Sequence, residues 1–413
     1  MDDSRFLNEA HTEPAKRPVV LVFCDFYLPG YKSGGSMRTL INMIECLGDE
    51  FDFRVVARDH DGRSDKTPYT EFPPNEWNRI GPALVRHLSK DRINISEFKK
   101  IVDEVSPDTI YFNSYFSTFT ILPLILRKTG KLKGIPMIVA PEGEISEAGL
   151  KLKSFRKRSF MRAAKAARLY GDLIWKAASE MEAENVRRLN VRRPKIFIAP
   201  NLSPKTILPG YRQDDKPTKV AGKARLIYLS RIHPVKNLDF LLDALQHVSG
   251  NVELDIYGPV DTDADYMDKC RRLIDQLPES VSVTVKGSVE HSKVPQTLFS
   301  YEFFVLPSLT ENFGHVFMEA LAAGCPLVIS DRTPWTDLES KGVGWDIPLE
   351  DRNKWIEVLE QCVCMAEEEY SRLSKASRDF AERWLADEEL QTATRDVIEY
   401  SLNQRAELNL ATT

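Results

Sequence analysis

Hydrophobic positions along this chain fall into two kinds of run. Short, continuous apolar stretches bounded by turn residues occur at 19–23, 109–112, 303–306 and 326–330. A strand buried on both faces has this pattern. Stretches with apolar residues at helical spacing lie between them, as at 37–47 and 238–245. Further strands are predicted at 53–57, 136–140 and 195–201, then at 225–229, 252–257 and 281–285. A polar stretch with Pro and Lys, roughly 203–223, interrupts the series and reads as a linker. The second half restarts the alternation, and from about 352 the chain is mainly helical. Two successive βαβ series predict an α/β protein of two doubly wound, Rossmann-like domains with mainly parallel sheets. The expected division is a flexible tail at 1–17, domains at 18–203 and 204–379, and a terminal helix and tail at 380–413. A cleft between two such domains is a natural ligand site.

Composition narrows the classes. A length of 413 residues suits two domains. A net charge of −5 argues against a general nucleic-acid binder. The six cysteines include no Cys-x-x-Cys pair and suit reduced thiols, so a cytoplasmic location is expected. The acidic, polar start is unlike a signal peptide, and no run of 18 apolar residues occurs. The seven histidines show no metal-ligand spacing, so no metal is expected.

Four constellations carry chemistry. The first is Glu311-Asn312-Phe313-Gly314-His315-Val316-Phe317-Met318-Glu319, after the strand at 303–306. It puts Glu311 on a loop and Glu319 inside the following helix, about one and a half turns in. The helix start offers N–H groups to an anion such as a diphosphate. Glu319 suits a ribose diol and Glu311 a sugar hydroxyl; two surface acids, or a glycosidase pair, are the alternatives. The second is Arg231 and Lys236, able to neutralise a pyrophosphate or simply to decorate a solvated loop. The third is Gly34-Gly35, either a close approach to phosphate or a plain turn. The fourth is 148–171, which holds Lys151, Lys153, Arg156, Lys157, Arg158, Arg162, Lys165 and Arg168 with no acid. It reads as an anionic-membrane contact, an anionic-acceptor site, or a helix with a solvated basic face.

Taken in order, the Gly34-Gly35 loop, the Arg231…Lys236 pair and the Glu311…Glu319 signature resemble glycosyltransferase family 4, retaining enzymes of the GT-B fold. The resemblance covers about 18–385 and is strongest over 225–350. It implies two domains facing a central cleft, and transfer of a sugar from a nucleotide-sugar donor without a bound cofactor or metal. Arg231 and Lys236 would hold the diphosphate and Glu311 the donor sugar. Backbone groups of Asn312, Phe313, Gly314, His315 and Val316 would meet sugar and phosphate, and Glu319 the ribose. Gly34 and Gly35 would approach from the other domain. The implied acceptor is a glycan or lipid-linked hydroxyl, in cell-envelope or exopolysaccharide synthesis; the basic 148–171 stretch points to peripheral contact with the inner face of the membrane. An epimerase, a phosphorylase or a non-catalytic sugar-nucleotide-binding partner are the other classes. Many family members carry a His after an N-terminal-domain strand. Here the comparable segments read Asn113-Ser114-Tyr115-Phe116 and Pro141-Glu142-Gly143-Glu144, so Asn113, Glu142 and Glu144 are candidates for the acceptor side. Trp335 follows a strand facing the cleft and is expected to pack rather than to stack on a ligand.

Overall fold

The computed structural model describes residues 16–31, 34–62, 66–132, 134–151, 154–204, 210, 215–260 and 263–410. Most of the expected tail lies outside these residues, as do Lys153, Asp261, Thr262 and much of the linker. The first half contains β1 (Val19–Phe23), α1 (Gly35–Leu47), β2 (Asp52–Arg58), β3 (Trp77–Ile80), β4 (Ala83–Leu88), α2 (Ile95–Val105), β5 (Thr109–Phe112) and α3 (Thr118–Lys128). It continues with β6 (Met137–Val139), α4 (Glu147–Lys151), α5 (Ser154–Ala166), β7 (Ile174–Ala177), α6 (Glu180–Arg188) and β8 (Lys195–Ile198). The second half runs β9 (Lys223–Leu229), α7 (Leu238–Leu245), β10 (Asn251–Tyr257), α8 (Ala264–Ile274), β11 (Val281–Gly287), α9 (Val294–Phe299) and β12 (Phe303–Leu306). Then come α10 (His315–Ala322), β13 (Leu327–Ser330), β14 (Gly344–Ile347), α11 (Arg352–Cys364), α12 (Glu367–Ala386) and α13 (Glu388–Leu410).

The strands form two sheets. The first has the order β3-β4-β2-β1-β5-β6-β7-β8, parallel except for the β3–β4 pair. The second, β11-β10-β9-β12-β13-β14, is parallel throughout. Continuous apolar runs form the central strands because both faces are covered. Along β1, Val20 and Val22 enter one core and Leu21 and Phe23 the other, as the two-residue strand period demands. Strands β3, β4, β7 and β14 are absent from the sequence expectation. Strand β4 is broken in pattern by buried Arg86 and His87, and β7 by buried Lys176. Arg86 donates to Asn75 O and Glu104, His87 Nε2 lies 2.9 Å from Leu28 O, and Lys176 donates to Asn201, partners that periodicity cannot foresee.

Two features join the halves. Helix α13 packs on the first sheet: Val397 and Ile398 enter its core, and Ser401 Oγ lies 2.6 Å from Thr109 Oγ1. Helix α12 belongs to the second core through Tyr370 and Ala381 and ends at its cap, Asp387. On the other connection, Lys216 is buried and donates to Phe299 O (3.2 Å) and Ala323 O (3.0 Å). Its ammonium thus meets the carbonyl ends of α9 and α10, where the helix dipoles are negative. Among the described residues no helix is long and apolar enough to cross a membrane.

Candidate active site

Strand order reverses between β1 and β5 in the first sheet and between β9 and β12 in the second. Ligands of open α/β sheets bind in the crevice at such points. Gly34 follows β1, Arg231 and Lys236 follow β9, and Glu311–Gly314 follow β12, so the chain brings them to the same cleft. The contact is direct: a Cβ on Gly34 would lie 3.3 Å from Arg231 Nε, and one on Gly143 only 3.0 Å from Asn312 Cβ. Gly35 is the first residue of α1, with open space about it.

Helix ends dominate the cleft. Gly314 caps α10 at φ 80, and a side chain there would run into the Phe317 ring at 2.5 Å, so only glycine fits. No side chain caps α10 and its first turn holds no acid; α1, capped by Gly34, is the same. Helix α7, just after Lys236, also lacks a side-chain cap. By contrast α2, α8 and α11 are capped by Asn94, Asp263 and Asp351. The first N–H groups of a helix have no partner within it. The cleft therefore gathers donors and partial positive charge suited to an anion.

Lys236 and Glu311, assigned to different parts of a ligand by the sequence, pair with each other; their side chains are 13% and 16% exposed. An incoming phosphate must compete with the Glu311 carboxylate for this ammonium. Glu319 stands in the second turn of α10, 8% exposed. Burial raises its pKa from 4.5 to about 7, against the pull of Arg38 on α1. His291 approaches it at 3.8 Å, but burial and Arg38 lower the imidazole to about 4, so this is not an ion pair near neutrality. Phe313 is buried, and its carbonyl accepts from Trp335 Nε1. Trp335 itself packs among Phe313, Phe317, Phe380 and Trp384, its ring 5.2 Å from that of Trp384.

The first domain contributes the three residues named for the acceptor side, Asn113, Glu142 and Glu144, and others the sequence did not single out. Thr39 Oγ1 lies 3.0 Å from His315 Nε2 and 3.2 Å from Glu142 Oε2. Glu142 adopts φ 52, and its pKa is raised to about 7, chiefly by burial, with Lys176 opposing and Glu182 reinforcing. Glu182 accepts from Gly143 N (2.7 Å) and Ala178 N (2.8 Å). With its nitrogen turned to that carboxylate, the Asn312 amide donates to both oxygens at 2.9 and 3.2 Å. Glu144 is engaged elsewhere: it accepts from Ser114 Oγ, Tyr115 N and Phe116 N at 2.7–3.0 Å and braces the loop after β5. Asn113 donates to Ser36 O at 2.9 Å. Arg38, Thr39, Lys176, Glu182 and Asn201 thus escaped sequence reasoning. Ser179-x-x-Glu182 is a helix-start signature that marks Glu182, but only as part of a cap. A hollow of about 460 Å³ lined by Arg127, Arg168, Asp172 and Arg192 lies at the opposite edge of the first sheet, away from this chemistry.

Residues 212–380 match the family model described as Glycosyl transferases group 1. That segment is similar to a group 1 glycosyltransferase domain. It holds the whole six-stranded sheet, with Arg231, Lys236, Glu311 and Glu319. Over 106 residues the chain is 31% identical to the GtfA subunit of a UDP-N-acetylglucosamine–peptide N-acetylglucosaminyltransferase from Streptococcus gordonii, covering 25% of this chain and 20% of the relative. Across the curated relatives it matches, the chain spans between 20% and 47% of their length. Sucrose-phosphate synthase from Thermosynechococcus elongatus superposes with TM-score 0.68 at 15% identity, covering 93% of this chain and 99% of that one. Anabaena HepE, solved with UDP and glucose, gives 0.63 at 16% identity, with 96% and 100% covered. The fold is GT-B: two α/β domains with mainly parallel sheets about one cleft.

Proposed function

We propose that this protein is a retaining glycosyltransferase of family 4, moving a sugar from a nucleotide-diphosphate-sugar to an acceptor hydroxyl. The observation that carries the reading is the meeting, at two topological switch points, of uncapped helix ends with Arg231, Lys236, Glu311 and Glu319. In this reading Arg231, Lys236 and the N–H groups at Gly314–Val316 take the diphosphate. Its charge is stabilised as the glycosidic bond to the leaving phosphate breaks. Glu311 holds the donor sugar and Glu319 the ribose. Gly34 and Gly35 let the first domain close on the phosphates. The acceptor oxygen attacks from the leaving-group face, and its proton passes to the departing phosphate, so the anomeric configuration is kept. With cations and helix ends meeting the phosphate charge, transfer is expected to survive EDTA.

UDP is the first nucleotide to try, given the UDP named with the GtfA relative and with HepE. Thermal shifts against UDP-, GDP-, ADP- and dTDP-sugars test the donor. A ligand at 100 times its dissociation constant adds about 2.7 kcal/mol. Absence of a shift with every donor refutes the reading, and an inverted product linkage by NMR refutes retention.

A glycan or lipid-linked acceptor of envelope or exopolysaccharide synthesis, met at the cytoplasmic membrane face, belongs to the same proposal. Its support is α5 and the turn after it. Phe160, Met161, Ala164 and Leu169 pack inward, while Arg156, Arg158, Arg162, Lys165 and Arg168 are exposed beside Phe155, which is 82% exposed. Lys157 is drawn inward, donating to Gly149 O at 2.7 Å. Flotation with anionic vesicles that fails at low salt refutes the membrane contact.

A further inference from the structure

Thr39, Lys176, Glu182 and Asn201 are each no more than 3% exposed, and none has a part in the transfer step above. Three of them form a continuous relay. Lys176 Nζ, on β7, donates to Asn201 Oδ1 at 2.7 Å. Asn201 Nδ2 donates to Thr39 Oγ1 at 2.9 Å, and Thr39 Oγ1 lies 3.0 Å from His315 Nε2. Glu182 reaches the same helix end separately, through Asn312. The relay therefore starts inside the first domain and ends on two residues of the second. His315 is the first residue of α10, and Asn312 lies two residues before its cap.

Burying an ammonium among two carboxylates costs desolvation that apolar packing would avoid. Such a cluster fixes one arrangement of the groups it joins. Burial and the nearby cations Arg38 and Lys176 keep His315 neutral, so its ring has one N–H. Its Nδ1 has no hydrogen-bond partner among the described residues, which leaves Thr39 as the polar anchor of the ring.

We propose that Lys176, Asn201, Thr39 and Glu182 are positioning residues that set the first turn of α10 against the first domain. Given the glycosyltransferase reading, they thereby hold the seat of the donor's sugar and phosphates in register with the acceptor side. They touch no substrate and act through His315 and Asn312.

Thr39→Val keeps the volume and removes the hydroxyl; Thr39→Ser keeps the hydroxyl. Two readouts are needed. Hydrogen exchange over 307–320 in the full chain is expected to rise in Thr39→Val and Glu182→Gln and to return to the wild-type rate in Thr39→Ser. In turnover with the donor found by thermal shift, Thr39→Val lowers kcat about tenfold, the worth of one buried hydrogen bond. Donor KM stays within about threefold, because the proposed contacts of Arg231, Lys236 and Glu319 with the nucleotide are left in place. Unchanged exchange in both Thr39→Val and Glu182→Gln overturns the relay, whether or not any donor is turned over. So does a Thr39→Ser variant as impaired as Thr39→Val, since the hydroxyl is then not the agent. Raised exchange with no turnover of any nucleotide-sugar by the wild type supports the relay and refutes the glycosyltransferase reading alone. Should Lys176→Met fold, it reproduces the Thr39→Val signature; wild-type kcat in that variant counts against the proposal.

Discussion

Titration of Glu319 gives a quantitative test of the proposed ribose clamp. Its carboxyl is raised to about 7 by burial, with Arg38 pulling the other way and His291 neutral beside it. Only the ionised form accepts two hydrogen bonds from a diol. If binding requires that form, the apparent dissociation constant is the intrinsic one divided by the ionised fraction. That fraction is about 0.9 at pH 8 and about 0.03 at pH 5.5, so affinity falls roughly thirtyfold across this range. UDP-glucose is the suitable probe, because its phosphate diester does not titrate there. Calorimetry at several pH values is expected to show a tenfold loss per unit below 7, and Glu319→Gln to flatten the curve. The free protein should move the other way. A folded pKa above the unfolded one stabilises most below pH 4.5, and this contribution is lost as pH rises through about 7. The full displacement corresponds to roughly 3 kcal/mol as an upper limit. Thermal melts of wild type and Glu319→Gln between pH 5 and 8 read it as a difference in slope. Flat wild-type affinity, or the same slope in Glu319→Gln, refutes the assignment.

Three further outcomes follow from the geometry. Glu311→Ala is expected to lower turnover at least a hundredfold with an unchanged circular dichroism spectrum; normal turnover removes Glu311 from the site. Gly314→Ala forces a β-carbon against the Phe317 ring at a positive φ, so urea denaturation should show a loss of about 1–3 kcal/mol; no loss contradicts the steric argument. Trp335→Ala opens the cluster of Phe313, Phe317, Phe380 and Trp384 and should cost about 3–5 kcal/mol. A stable Trp335→Ala protein with impaired donor binding would instead assign Trp335 to the ligand.

Local sequence carried the architecture because its signals are local. Continuous apolar runs at β1, β5, β12 and β13 mark strands covered on both faces, whatever their partners. Spacing alone put Glu311 on a loop and Glu319 in the second turn of α10, and Gly314 marked the helix start. The proposed site residues could be named from the sequence for the same reason: Arg231, Lys236, Glu311 and Glu319 lie in short segments after β9 and β12. What the residues face was not legible. The pairing of Lys236 with Glu311, the burial that raises Glu319 and Glu142, and the packing of Trp335 depend on elements far apart in the chain. Lys176 is the sharpest case. In sequence it is a polar break in a short apolar run. Only the packing of the loops after β6 and β8 and of α6 surrounds it with Glu142, Asn201 and Glu182. A charge is read from one residue, whereas its solvation is set by every element packed around it, so the tertiary structure alone decided which polar groups join the two halves of this site.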